Sequence, residues 1–170
     1  MPAIPFQQSP FFEILKPDLE GLTGAAGEYR AHTAEYLAWM ERLPQMRLDD
    51  AYAPGKWTVR ELLGHVIDSH IILAFRLLSF ARGEVQEIPG ADEGLWVRNA
   101  GHGSFALSDL TRGYGLAAGW SNWVVETLPA RAMESSGVAN GVLLTVREMH
   151  AYIIAHERHH RRMLKERYGV

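Results

Sequence analysis

Four stretches of the 170-residue sequence repeat apolar residues at helical spacing, and each carries its own start or stop signal. Apolar side chains that return every three to four residues give a helix one oily stripe, and such stripes are stable only when packed against each other. In the first stretch Leu22, Tyr29, Tyr36 and Leu43 recur every seven residues, with Ala25, Trp39 and Met40 beside them, and Pro44 ends the run. The second opens at "TVRE", where Thr58 suits an N-cap and Glu61 completes a capping box. Its inward stripe reads Leu62, His65, Val66, Ser69, Leu73, Arg76 and Phe80, and Gly83 closes it. The third shows Leu110, Tyr114, Ala117, Ser121, Val124 and Leu128, with Ser108 as the expected cap and Pro129 as the stop. The fourth begins with the same four letters at Thr145 to Glu148 and runs through Met149, Ile153, His156, His160 and Met163 to Gly169. The expectation is an all-α four-helix bundle, a single domain over residues 1–170.

The connections are less regular. About two dozen residues, "EVQEIPGADEGLWVRNAGHGSFAL", separate the second and third helices, and loops that long are often functional. Residues 130–144 join the third and fourth, with "ANG" at 139–141 as a turn signal for a small hairpin. Both connections are long enough to cross an end of the bundle, so the helix order stays open. Residues 1–20 hold four of the eight prolines and read as an extended arm over the bundle.

Composition narrows the function classes. Basic residues number 17 against 20 acidic, a net charge of −3, which argues against a nucleic-acid binder. No cysteine is present, so thiolate nucleophiles, disulfides and thiolate ligand sets are excluded, and a reducing compartment fits. The opening "MPAIPFQQSPFF" lacks the basic and apolar regions of a signal peptide, and no apolar run looks long enough to span a membrane. The expectation is a cytoplasmic protein with a small-molecule substrate, no nucleic-acid partner and no membrane.

Among the eight histidines, "HERHH" at 156–160 satisfies the pattern H-E-x-x-H. Four residues along a helix advance about 6 Å and turn a net ~40°, so His156 and His160 project together, on the apolar stripe. In many metalloproteases such a pair holds zinc and the intervening glutamate is the base. Those enzymes need a further ligand downstream, but Met163 and Glu166 occupy the places where the longer motif has Gly and His. His65 supplies a better third donor, since it lies on the inward stripe of the second helix.

The stretch "GKWTVRELLGHVIDSH" at 55–70, with the terminal "AYIIAHERHHRRM", resembles the DinB/YfiT-like family of metalloenzymes, most closely its YfiT branch. That branch is described as metal-dependent hydrolases and, in some members, bacillithiol S-transferases. "RLPQMRLDDAYAPGKWTVRELLGHVIDSH" and, more weakly, "IPGADEGLW" extend the likeness. The resemblance implies a four-helix bundle in which His65, the first histidine of H-x-x-D-S-H, and His156 and His160 of H-x-x-H-H are the metal ligands. It also implies a homodimer, an expectation to which Phe105, Trp120 and Trp123 add surplus aromatic surface. It assigns no fixed acid to position 157, so Glu157 is expected to reflect helix surface chemistry.

Three histidines leave an open position on one divalent ion per chain, zinc or nickel by donor type, which is the pattern of a catalytic site. A water there could attack an ester or amide. Alternatively a low-molecular-weight thiol cosubstrate could be activated toward an electrophile. The resemblance favours the S-transferase; the residues themselves leave hydrolysis, or a non-catalytic stress-response protein stabilised by its metal, open. A di-iron carboxylate bundle needs two E-x-x-H motifs, and only 157–160 fits. Asp68 is expected to serve as a second acceptor on the His65 ring or as a base, and equally as a salt-bridge partner. Trp57 reads as a staple at the helix entry more than a substrate contact, and Trp96 as a pocket wall. His70 points away from the ligand face, and His102 sits on a loop that could approach the site. His32 and His150 read as structural or exposed. His159 joins Arg158, Arg161, Arg162 and Lys165 on an expected solvated cationic face.

Overall fold

The structure, a computed structural model, describes residues 2–170. In chain order it comprises strand β1 (Ile4–Pro5), helices α1 (Pro10–Leu19), α2 (Ala26–Met40), α3 (Val59–Ala81), α4 (Glu93–Ala100) and α5 (Leu107–Thr127), strands β2 (Ser136–Ala139) and β3 (Val142–Thr145), and helix α6 (Val146–Met163), which passes into a wider π turn over Leu164–Tyr168.

Helices α2, α3, α5 and α6 form the expected bundle. Both "TVRE" boxes form: Thr58 Oγ1 accepts from Glu61 N and Thr145 Oγ1 from Glu148 N, while each glutamate returns a bond to its cap residue. The third helix starts earlier than expected, with Ala106 rather than Ser108 at the cap and no side-chain bond there. Helix α2 packs on α5 and α6, and α3 packs on the same two, which puts α2 and α3 on a diagonal. The segment 41–58 therefore carries the chain across one end of the bundle.

The predicted hairpin is present. Asn140 and Gly141 both take positive φ, 52° and 74°, as a two-residue turn between twisted strands requires. β1 adds to β3 in parallel, giving the order β1-β3-β2. This small sheet is a minor part of the fold.

Three expectations fail here. The segment 1–20 is not simply an extended arm: Ser9 caps a helix at Phe12 N, Pro10 suits its first turn, and α1 docks against α6. The long connection after α3 contains α4, capped by Asp92 and ended by Gly101 in the left-handed region. Helix α3 does have the length and mean hydropathy, 1.4, to cross a membrane, contrary to the reading of the sequence. It is the core helix of the bundle, with His65 and His70 on its buried face.

Two apolar clusters make the core. One gathers Tyr36, Leu62, Leu63, Val66, Leu110 and Tyr114, the other Tyr29, Leu73, Leu77, Phe80, Val124 and Ile153. Buried polar groups join them, because Tyr114 of the first and Tyr29 of the second bond to one set of side chains around Glu157.

Candidate metal centre

The capping boxes set where α3 and α6 begin, and the mutual packing of the two helices brings their histidines face to face. His65 Nε2 lies 3.2 Å from His160 Nε2, which lies 3.1 Å from His156 Nε2. Four donors about 2.05 Å from a tetrahedral ion would stand about 3.3 Å apart, so the spacing suits a single small cation. No carboxylate or fourth imidazole joins this group among the described residues. Burial holds the His65 imidazole down at about 4, and burial with the neighbouring His65 holds His156 at about 3. His160 is lowered as well, by burial and then by His156. All three are neutral at pH 7, the state in which imidazole donates a lone pair to a metal. The donor set therefore fits a divalent ion.

The surroundings orient two of the three rings. Trp57 lies over His65 with ring centroids 4.9 Å apart, and Ser69 Oγ is 3.4 Å from His65 Nδ1. Tyr152 stacks beside His156 at 6.3 Å and an interplanar angle of 10°. The Nδ1 of His160 is buried without a partner. Trp57 thus touches the candidate site, and its carbonyl also accepts from Tyr168 Oη.

The edge of His65 assigned to Asp68 belongs instead to Ser69. Asp68 turns toward His102, 3.9 Å away, and burial raises its pKa. It shares a hollow with Leu95, Trp96, Asn99 and Ala100, separate from the cavity that His156 lines. Trp96 walls that hollow rather than the histidine cluster. His102 is buried against Gly64, where a Cβ would come within 2.1 Å of its Nδ1.

Glu157 is the largest departure from expectation. It is 1% exposed and accepts from His32 Nε2 at 2.9 Å, from Tyr114 Oη at 2.7 Å and from His70 Nδ1. Burial alone would raise this carboxyl, but the His70 charge and the bonds from His32 and His70 outweigh it and hold it at about 2. The other ring nitrogen of His70, Nε2, meets Tyr29 Oη at 2.8 Å and Ser121 Oγ at 3.0 Å. Glu157 is thus neither surface chemistry nor a base beside the metal-type cluster; it faces the core. His70, away from the ligand face as expected, belongs to its network. His32 and His150 are both buried.

The cationic run is only in part a solvated face: Lys165 is exposed, but its neighbours pair with packed helices. Arg162 bonds both oxygens of the buried Asp18, Arg158 reaches the carbonyls of Asp18 and Glu20, and His159 Nδ1 stands 3.6 Å from Asp18 Oδ2. These contacts clamp the end of α1. Arg161 instead turns to α2, pairing with Glu35 and lying over Trp39 at 5.3 Å.

A cavity of about 660 Å³, counting its open mouth, reaches His156. Phe6 and Phe11, Ile72 and Arg76 of α3, Glu93, the hairpin residues Val142 and Leu144, and Met149 and Tyr152 contribute to its walls. The sequence reading overlooked it as a site. Its one signal was an arginine, Arg76, on an otherwise inward stripe.

Comparison with known proteins agrees with this architecture. YfiT from Bacillus subtilis, described as a probable metal-dependent hydrolase with an unusual four-helix bundle topology, superposes with a TM-score of 0.73 at 21% identity, over 85% of this chain and 87% of that one. The mycothiol-dependent maleylpyruvate isomerase superposes at 0.59 with 16% identity, and a histidine-to-alanine variant of it at 0.61 with 16%. This chain covers 91% and 90% of its own length in those matches but spans only 62% and 59% of the isomerase. At such identities the likeness is one of fold. No curated protein sequence matches the chain. The sequence pattern of the DinB superfamily matches residues 28–164, from within α2 to the end of α6, and the chain belongs to that superfamily.

Proposed function

We propose that this protein is a metal-dependent enzyme in which His65, His156 and His160 hold one divalent ion, zinc or nickel, and a low-molecular-weight thiol is transferred to a small electrophile. The observation that carries the reading is the convergence of three neutral imidazoles beside a cavity, with no fourth protein donor among the described residues. Structural zinc sites are closed by four protein ligands, whereas three leave a position for a reactant. The ion, when bound, supplies Lewis acidity that lowers the pKa of a thiol or of water.

The chain's own residues favour the thiol. Attack by water gains from a base beside the ion, and in H-E-x-x-H hydrolases that is the glutamate. Here Glu157 is committed to His32, His70 and Tyr114. A free thiol, with a pKa near ~8.5, is mostly protonated at neutral pH, so lowering it yields a nucleophile without a protein base. The chain has no cysteine, so the sulfur comes from outside, and the cytoplasm is the compartment where reduced thiols persist. Trp57 and Ser69 keep His65 in place, and Phe11, Ile72 and Met149 give the neighbouring cavity an apolar wall.

A hydrolase reading takes its support from the description of the Bacillus subtilis YfiT protein. One experiment separates the two. A chloro-dinitroaromatic and an ester are each offered with and without bacillithiol, mycothiol or glutathione, before and after chelation. Conjugation that needs both thiol and metal is expected; ester cleavage indifferent to thiol would establish the hydrolase, and no turnover would leave a binding protein. His65→Ala, His156→Ala and His160→Ala should each reduce metal content sharply, and normal loading of the His65 variant overturns the three-ligand site.

A further inference from the structure

The cavity beside His156 is mostly apolar, yet it contains the side chain of Arg76. Its Nη2 donates to the Pro89 carbonyl at 3.0 Å, and its Nε is buried with no partner. Among the described residues no carboxylate lies within salt-bridge distance of it. Every other partly buried arginine contact in the clamp region, at Arg158, Arg161 and Arg162, ends on a carbonyl or carboxylate of a packed helix. Of these arginines Arg76 alone lines the cavity that reaches His156. Glu93 lines the same cavity without pairing with it. A half-buried guanidinium with a buried, unused Nε–H is costly unless something anionic meets it, and its planar fork matches a carboxylate.

Arg76 lies eleven residues after His65, about three helical turns along α3, so the guanidinium and the histidine cluster mark two ends of one space. Ile72 lies between them on α3, and Phe11, Met149 and Tyr152 line the rest. We propose that this cavity receives a small organic acid whose carboxylate pairs with Arg76, whose apolar chain runs along Ile72, Phe11 and Met149, and whose far end reaches the histidine cluster. This names the substrate class within the enzymatic reading of the same site and rests on that reading for its reactive end. The pairing with Arg76 itself needs no metal.

The probes are hexanoate and hexanol, matched in length and differing in charge, with binding to the full-length protein as purified measured by calorimetry. Hexanoate should bind at least about tenfold more tightly than hexanol, the order expected for a charge-assisted bond in a partly buried site. Arg76→Gln should bring hexanoate to the level of hexanol while hexanol is unchanged, which also shows the cavity intact. Equal affinity of hexanoate for wild type and variant overturns the proposal, as does equal affinity of the two probes for wild type. A second measurement uses wild type after chelation. If the preference for hexanoate persists, Arg76 is its source; if it vanishes, the metal held the carboxylate and the proposal fails. The binding preference persisting in a protein inactive toward every thiol and electrophile would reject the enzymatic reading and leave the carboxylate site standing.

Discussion

Glu157 carries a full charge where almost no water reaches it, so its three hydrogen-bond donors have to replace that water. Glu157→Gln keeps the shape but removes the charge and turns one acceptor into a donor that faces other donors. Leaving buried ionic partners unmatched costs about 3–5 kcal/mol when one member is lost, and the isosteric amide should recover part of this. The expected loss is about 2–4 kcal/mol, read as a lower denaturant midpoint at unchanged slope, while the folded fraction keeps its metal. An unchanged midpoint would mean the network does not stabilise the fold. The residue was misread because its neighbours His156 and His160 define only one stripe of α6. His150, Ile154 and Glu157 are buried as well, so the inward face is wider than that stripe. The partners of Glu157 come from α2, α3 and α5, and no local spacing reveals them. The three metal-type histidines were legible because two share one helical face and the third sits on another inward stripe.

At the level of elements, what is encoded locally was readable and what is held by distant contacts was not. The capping boxes at Thr58 and Thr145 and the Asn140-Gly141 turn each lie within a few residues of sequence. Helix α1, by contrast, is fastened by Arg158, His159 and Arg162 of α6 onto its own C-terminal end, across some 140 residues of chain. The contact between α3 and the turn at His102–Ser104 is of the same kind and can be tested. At Gly64 an added Cβ would meet His102 Nδ1 at 2.1 Å, Cγ at 2.2 Å and Cβ at 2.6 Å, so turning the buried ring alone would not relieve the clash. Alanine gains up to about 1 kcal/mol over glycine in a helix. Overpacking of this kind costs typically about 1–3 kcal/mol. Gly64→Ala should therefore destabilise, whereas Gly113→Ala should stabilise by about 0.5–1 kcal/mol, because its nearest atom, Ile67 Cδ1, is at an ordinary 3.8 Å. If both variants shift the melting temperature upward, the close approach at Gly64 is not what keeps that position a glycine.

For the molecule as a whole, the sequence pointed to a bundle but not to the diagonal placing of α2 and α3, since a stripe says what is buried and not which neighbour buries it. The histidines it buries give the fold a pH dependence. His65 and His150 are lowered to about 4, His156 to about 3, and His160 also falls well below its usual value, all chiefly through burial. Between those values and 6.5 the unfolded chain binds more protons than the folded one, so stability is full above about pH 6.5 and is lost as pH falls. Denaturant midpoints in chelator should be flat from pH 7 upward and drop steeply toward pH 4; a flat profile down to pH 5 would contradict the burial of these rings. Assembly is the remaining property of this scale. Leu116, Trp120 and Trp123 stand four and three residues apart along α5, on one stripe, with exposures of 71%, 42% and 61%. An apolar stripe of that size, bearing two tryptophans, matches the aromatic-rich centre of a protein interface better than an ordinary surface. In a homodimer a two-fold axis would lay the stripe against its own copy, and the buried tryptophans would contribute most of the binding. Light scattering at micromolar concentration should give twice the chain mass of 19.1 kDa, and Trp123→Glu, which places a charge in the middle of that contact, should halve it without lowering the unfolding midpoint of the monomer. A wild-type particle of 19.1 kDa would end the dimer.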